Sequence, residues 1–383
     1  MRLSKKKISY WSPHINPVAT VMAVYNSAKS LKKYSNSKFE IEILNAFGEW
    51  NKFRNNKNKI KIRKLFSIGL LKKIPSQGFF FSRLKYLIIF FFSFIPLTKY
   101  LKKEKPDYLI IHLITSLPLI INYLFKLDTK IILRISGKPQ LNILRFFFWK
   151  IMLKKIEKIS FPTKETYKYF KSLNIVEKKK LYLLYDPVLD SSQIKIQNKD
   201  TKKIFSKYKD YFLCIGRLTK QKNFSFIIEC FSELINKNKN LKLLIIGEGE
   251  NYKKLHNLIM EYNLQKNIFL IGYKKNVFNY LKKAKAFILC SLWEDPGFVL
   301  VEAIYANTFV ISSDCPSGPK EIVGNKKGIL FKNNSKKDFM KKFNYFETLD
   351  KFKLKKIKIK AKKNIKNYSL NHHSNNLTKL LIS

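Results

Sequence analysis

Short apolar runs of strand length alternate with longer stretches of helical periodicity along most of the chain. This alternation restricts the fold more than any other property. In the first half, 8–11, 40–45, 59–65, 108–113 and 130–135 read as strands, and 18–34, 83–103, 117–127, 141–158 and 164–173 read as helices. The second half repeats the pattern. Its strands are 211–216, 241–246, 267–271, 286–289, 308–312 and 328–331, and helix 224–234 places apolar residues at 224, 227, 228, 231 and 234. Parallel strands need a helix-length connection, and strands buried on both faces read as continuous apolar runs. The expectation is therefore an α/β protein with parallel sheets covered by helices. Periodicity fades over about 186–209, where Ser191, Ser192, Gln193 and Gln197 collect, and a chain of 383 residues suits two domains. The predicted bounds are 1–187, a linker at 188–208, a second domain at 209–365 and a closing segment at 366–383.

Composition narrows the function classes. With 46% hydrophobic and 15% aromatic residues, the chain is not a disordered polymer. A formal net charge of +50 invites a nucleic-acid partner. However, the lysines are spread over the whole length, and there is no helix-turn-helix, zinc-finger or stacking-platform motif. No specific nucleic acid is expected; a membrane surface or nucleotide phosphates suit the charge better. Cys214, Cys230, Cys290 and Cys315 are scattered, as reduced buried thiols of a cytosolic protein are. The start, MRLSKKKISYW, lacks the apolar core of a secretory signal. The longest apolar run, 86–97, falls short of the roughly 20 residues that span a bilayer. A soluble or peripheral protein is expected. Two segments, 78–103 and 144–158, combine aromatic and basic residues. Each reads either as a buried helix with lysine stems around it or as a helix lying on an anionic membrane; together they favour the membrane.

The densest signal runs from Cys290 to Glu321, CSLWEDPGFVLVEAIYANTFVISSDCPSGPKE. A strand enters a turn-forming Trp-Glu-Asp-Pro-Gly, a buried helix follows from about Phe298, and another strand comes next. Pro296 and Gly297 are expected at the helix start, where a first-turn proline loses no hydrogen bond. Free N–H groups at the tip of that helix (Gly297, Phe298, Val299, Leu300) would form an anion site. Glu294 precedes the helix and Glu302 lies inside it, with seven residues between them. A carboxylate there suits sugar hydroxyls rather than phosphate; equally, both could be solvated helix-end charges. EDPGFVLVE followed by CPSGPKEI resembles the Glu-x7-Glu signature of the retaining GT-B glycosyltransferases of family GT4. The Cys-Pro-Ser-Gly-Pro variant is most similar to bacterial enzymes that extend lipid-linked glycans or lipopolysaccharide from UDP-sugars.

Other segments add to the resemblance. In CIGRLTKQKN (214–223), Gly216 ends a strand and Asn223 starts a helix, so Arg217 and Lys222 occupy a loop at a carboxyl strand end, where open α/β sheets bind ligands. Arginine grips a diphosphate bidentately and lysine adds a compact charge. The segment is similar to the GT4 Gly-Arg…Lys pattern. LLIIGEGE (243–250) is half a dinucleotide fingerprint, and Tyr252 stands where its third glycine would be, so a tight strand-to-helix turn explains it better. By resemblance, Gly272 and Tyr273 meet the nucleobase. His112, ending the strand Asp107–His112, lies by the sugar, although a packed core histidine is the equal alternative. The loop Ser12–Pro17 lacks the family's glycine pair, leaving His14 or Asn16 as stand-ins. Arg134 replaces a common histidine, which suggests a different acceptor.

The resemblance implies a GT-B fold: two Rossmann-like domains facing across a cleft, acceptor on the first and nucleotide-sugar on the second, with 370–382 crossing back as a last helix. Arg217 and Lys222 would neutralise the diphosphate, Glu302 would hold the ribose, and Glu294 the transferred sugar. Without an Asp-x-Asp, no metal and no other cofactor are expected. The implied partners are a UDP-hexose or UDP-N-acetylhexosamine donor and a lipid-linked or cell-surface glycan acceptor. The implied place is the inner face of the cytoplasmic membrane. A same-fold phosphorylase or sugar-phosphate synthase with a soluble acceptor, and a basic nucleic-acid- or membrane-binding protein without catalysis, are the alternatives.

Overall fold

A computed structural model describes residues 5–15, 19–54, 60–66, 79–139, 141–190, 208, 210–324 and 326–382. The chain forms two compact units: Met1–Val188 with Ser369–Ser383, and Leu189–Tyr368.

The first unit runs β1 (Lys6–Trp11), α1 (Ala19–Tyr34), β2 (Phe39–Asn45), β3 (Lys61–Lys64), α2 (Phe79–Glu104), β4 (Tyr108–Ile111), α3 (Ser116–Phe125), β5 (Lys130–Arg134), α4 (Ile143–Met152), β6 (Lys158–Phe161), α5 (Lys164–Ser172) and β7 (Leu181–Leu183). Its strands form one parallel sheet in the order β3-β2-β1-β4-β5-β6-β7. Side chains alternate across the sheet and divide the core in two. Ile8, Tyr10 and Ile110 pack with Val24 and Leu31 of α1, while Leu109, Ile111 and Leu133 pack with Leu97, Leu117 and Phe170 from the helices of the other face. Two strands exceed the sequence expectation. The helix expected over 141–158 stops at Met152, and Lys158–Phe161 is a strand. The short Leu181–Leu183 is another. The segment Arg83–Glu104 is long and apolar enough to span a bilayer, which corrects the expectation drawn from the run 86–97.

The second unit runs β8 (Tyr211–Ile215), α6 (Phe224–Lys237), β9 (Lys242–Ile246), α7 (Tyr252–Glu261), β10 (Ile268–Leu270), α8 (Phe278–Lys283), β11 (Ala286–Leu289), α9 (Phe298–Tyr305), β12 (Phe309–Ser313), α10 (Pro319–Val323), β13 (Ile329–Phe331), α11 (Lys336–Glu347) and α12 (Lys351–Ile365). All six strands are parallel, in the order β10-β9-β8-β11-β12-β13. An aromatic cluster of Phe212, Phe231, Phe343 and Phe346 ties α6 and α11 to the sheet. Each fully buried phenylalanine contributes about 1.5–3 kcal/mol.

The chain then returns to the first unit as α13 (Leu370–Ile382), which packs on α1. Leu377, Leu380 and Leu381 enter its core. His373 bonds through Nε2 to Ser27 Oγ at 2.8 Å and through Nδ1 to the Tyr185 carbonyl at 2.7 Å. The carbonyls at the helix end have no partner of their own. Lys158 Nζ reaches that of Leu380 at 2.6 Å, and the Tyr108 hydroxyl donates to that of Leu381. This explains a buried lysine in β6.

In both sheets the strand order reverses beside the first strand, between β1 and β4 and between β8 and β11. Loops diverge there at the carboxyl ends and leave a crevice.

Candidate active site

In the second unit the β8 loop carries the first set of residues expected at the site. After β8, the backbone is held against the β9 loop by Leu218 N–H donating to Glu248 O at 2.8 Å and Asn251 N–H to Leu218 O at 2.9 Å. Gly247 makes this possible: its φ is +151°, and a Cβ there would lie 1.8 Å from the Gly216 carbonyl oxygen. The Gly-Glu-Gly segment therefore serves backbone contact between two loops, in keeping with the tight-turn reading. Arg217 is exposed, and its guanidinium makes no hydrogen bond or ion pair among the described residues. A single 3-10 turn, Lys220–Lys222, leads to Asn223, whose left-handed backbone (φ 54°) starts α6. The stem of Lys222 lies over Gly216.

The β11 loop supplies the second set. Ser291 Oγ and Lys222 Nζ each lie 2.5 Å from Glu294 Oε1. The ion pair is largely buried, with the lysine side chain 15% and the glutamate 6% exposed. Four further bonds fix this stretch. Leu292 N–H donates to Gln221 O at 2.8 Å, Gln221 Nε2 to Trp293 O at 2.9 Å, Asn333 Nδ2 to Leu292 O at 2.9 Å, and Glu294 N–H to Pro316 O at 3.1 Å. Ser291, Gln221, Asn333 and Pro316 were not singled out from the sequence. Their roles depend on loops distant in the chain, so the motifs that contain Gln221, Ser291 and Pro316 do not show these bonds.

One expectation needs correction. Pro296 is not a first-turn residue: α9 begins at Phe298, and the Asp295–Pro296 peptide is cis. Gly297 precedes the helix with φ +91°, and no side chain caps the tip, where Leu300 N–H already bonds back to the Gly297 carbonyl. Phe298 and Val299 are half-buried, and Leu300 is fully buried. Glu302, one turn along, is half-buried, and burial pushes its carboxyl up to about 7. After β10 come Gly272 (φ 69°) and the exposed Tyr273. Thus Gly216, Arg217, Lys222, Asn223, Gly272, Tyr273, Glu294 and Gly297 to Leu300 belong to loops or helix starts at the carboxyl edge of one sheet, and Glu302 follows in the second turn of α9.

His112 lies in the first unit, just past β4 at that unit's own switch point. Its N–H donates to the Trp11 carbonyl at 3.0 Å, and its ring stacks on Tyr10. Burial, helped by Arg134 and His373, holds the imidazole well below its usual range, so it is neutral. Its Nδ1 is buried without a hydrogen-bond partner among the described residues. His14 is also buried, with its ring edge-on to Trp50 at 4.8 Å, and Asn16 lies outside the described residues. Arg134 is committed elsewhere: it forms a buried pair with Asp186, Nε to Oδ1 at 3.2 Å and Nη2 to Oδ2 at 2.5 Å. It joins β5 to the segment after β7. Among the described residues, no three His, Cys, Asp or Glu side chains gather as a metal site would require.

Two parallel α/β units, with a cation-and-carboxylate cluster at the second one's switch point, are built like the GT-B glycosyltransferases. Residues 195–365 match the family model described as glycosyl transferases group 1. The chain is 35% identical over 251 residues to an uncharacterised glycosyltransferase of Methanocaldococcus jannaschii, an alignment covering 59% of this chain and 60% of the relative. The chain thus spans less than two thirds of that relative's length. A Campylobacter jejuni α-1,4-N-acetyl-D-galactosaminyltransferase, whose name specifies a GalNAc-containing diphospho-undecaprenol glycan, is 25% identical, with 98% of each chain covered. The crystal structure of Anabaena HepE in complex with UDP superposes with a TM-score of 0.75 at 11% identity, covering 99% of both chains, and shares the fold.

Proposed function

We propose that the protein is a retaining, metal-independent glycosyltransferase that moves a hexose or N-acetylhexosamine from a UDP-sugar to a lipid-linked or cell-surface glycan. It would act at the inner face of the cytoplasmic membrane, with an anionic membrane surface as a further partner. The observation that carries this reading is the Lys222–Glu294 pair, which joins two motif segments 72 residues apart at the switch point. The relatives' names support the substrate class.

The donor diphosphate occupies the space served by Arg217, Lys222 and the tip of α9. As the glycosidic bond breaks, negative charge grows on the leaving phosphate, where fixed positive groups stabilise it most. A carboxylate beside a diphosphate would ordinarily repel it. Lys222 removes that conflict by neutralising Glu294 on Oε1. This leaves Oε2 to accept a hydroxyl from the transferred sugar. Glu302 accepts the ribose hydroxyls, and Gly272 and Tyr273 border the base. The leaving phosphate assists deprotonation of the acceptor on the same face, which retains configuration without a covalent enzyme intermediate. His112, neutral, is a hydrogen-bonding group for sugar rather than a charge.

Arg217→Ala and Glu302→Ala, assayed for UDP-sugar hydrolysis and transfer, test the reading. Arg217→Ala is expected to lose roughly 100- to 1,000-fold in turnover. Wild-type rates in both variants would end the proposal. A thermal-shift screen of nucleotide sugars identifies the donor, since a specific ligand raises apparent stability by mass action.

A further inference from the structure

The second unit holds a cleft apart from the candidate active site. It opens at Asn307, just past the end of α9, and is walled by α12. Its volume is about 360 Å³. Four lysines line it, Lys351, Lys355, Lys358 and Lys362, with Leu354 and Ile359 beside them. Steps of four, three and four residues keep to one face of a helix, so the sequence itself sets these amines in a row. Helix α12 packs on α9 and α10, and Asn364 Nδ2 fixes its far end to the Ile322 carbonyl at 3.4 Å. Helix α9 starts at the carboxyl edge of the sheet and runs back towards the amino edge before β12. The cleft and the Gly297 tip therefore lie at opposite ends of one helix.

Lysine is abundant throughout this chain, and one solvated amine needs no explanation. Here four meet in one space with no acid to match them. Helix α12 contains no aspartate or glutamate. The acid before it, Asp350, caps the helix through Lys353 N–H at 2.7 Å and lies 3.5 Å from Lys353 Nζ. None of the four cleft lysines forms an ion pair among the described residues. Lys358 is half-buried, and burial, helped by Lys362, holds its ammonium below the usual range. Holding like charges together in this way is unfavourable, and an anion among them offsets it.

Size and lining select the anion. The volume falls within the range of small-molecule sites, about 300–1,000 Å³. A single phosphate would leave most of the row unmatched, whereas a linear diphosphate or triphosphate spreads several charges along it. Leu354 and Ile359 give an apolar wall, beside which ammonium–phosphate attraction is screened less than on open surface. A nucleic-acid strand needs aromatic platforms for its bases, and the lining has none. We propose that this cleft binds a compact oligophosphate, as a second anion site separate from the candidate diphosphate site. The proposal does not rest on the transfer reading.

The test is calorimetric titration of the full chain with inorganic triphosphate in metal-free buffer at about 0.15 M salt, where distant exposed charges are screened. Wild-type protein is expected to bind it. Lys355→Gln/Lys358→Gln is expected to weaken that binding about tenfold or more. Lys356→Gln/Lys360→Gln removes the same charge from α12 outside the cleft, and should change it by less than about threefold. Both variants should keep the wild-type melting temperature and the same UDP-induced thermal shift. ATP in place of triphosphate identifies the source: tighter binding marks a nucleotide and equal binding a free oligophosphate, and either supports the site. No triphosphate binding, wild-type binding by the cleft variant, an equal loss in both variants, or binding confined to a single-stranded oligonucleotide would each overturn the proposal. Triphosphate binding lost only in the cleft variant, with no response to UDP in any protein, would count against transfer and leave this site standing.

Discussion

At the scale of single residues, Glu302 shows most directly what the proposed function would cost in stability. Burial raises its carboxyl to about 7, so the folded chain holds a proton there that the unfolded chain releases near the ordinary value of 4.5. The folded state then binds more protons between those two values, and stability falls as pH rises through that window. Glu302→Gln removes the cost. It is expected to stabilise the protein at pH 8 by about 1–3 kcal/mol, read as a higher Tm, while weakening UDP binding. In the wild type, UDP affinity should fall as pH drops from about 7.5 to 6 and the carboxylate acquires a proton; the Gln variant should lose this slope, as followed by calorimetric titration. Lys222→Met presents the opposite case. Removing one partner of a largely buried pair leaves Glu294 with Ser291 alone, and such losses cost about 3–5 kcal/mol. Both Tm and transfer rate should drop.

At the scale of elements, the site depends on loops packed backbone to backbone. Gly318 has φ +121°, and a Cβ there would fall 2.0 Å from the Pro296 carbonyl oxygen. Gly318→Ala is therefore expected to destabilise by about 2 kcal/mol or more and to displace the Glu294 turn, lowering UDP binding in a thermal-shift assay. The six strands of the second unit were legible because each is a continuous apolar run bounded by turn residues. Lys158–Phe161 and Leu181–Leu183 were not: one begins with a lysine and follows a helical pattern without a break, and the other has three residues. The motif residues were legible as types at spacings. Their pairing was not, since Lys222 meets Glu294 across 72 residues and only the sheet order brings β8 beside β11. The pairing of Arg134 was hidden for the same reason, because its partner Asp186 lies 52 residues away.

At the scale of the whole molecule, the first unit is discontinuous. Its sheet and helices come from residues up to Val188, but part of its core comes from α13 after the second unit is complete. Removing residues 369–383 would expose the cavity filled by Leu377, Leu380 and Leu381, each worth about 2–5 kcal/mol. The truncated chain should lose cooperative unfolding of the first unit while the second keeps its UDP response; a two-transition melting curve would report this. The same connectivity has a consequence for synthesis. On the ribosome the earlier-made unit must wait, its α1 face unsealed, until the final helix emerges. The second unit, encoded later but contiguous, is free to finish first.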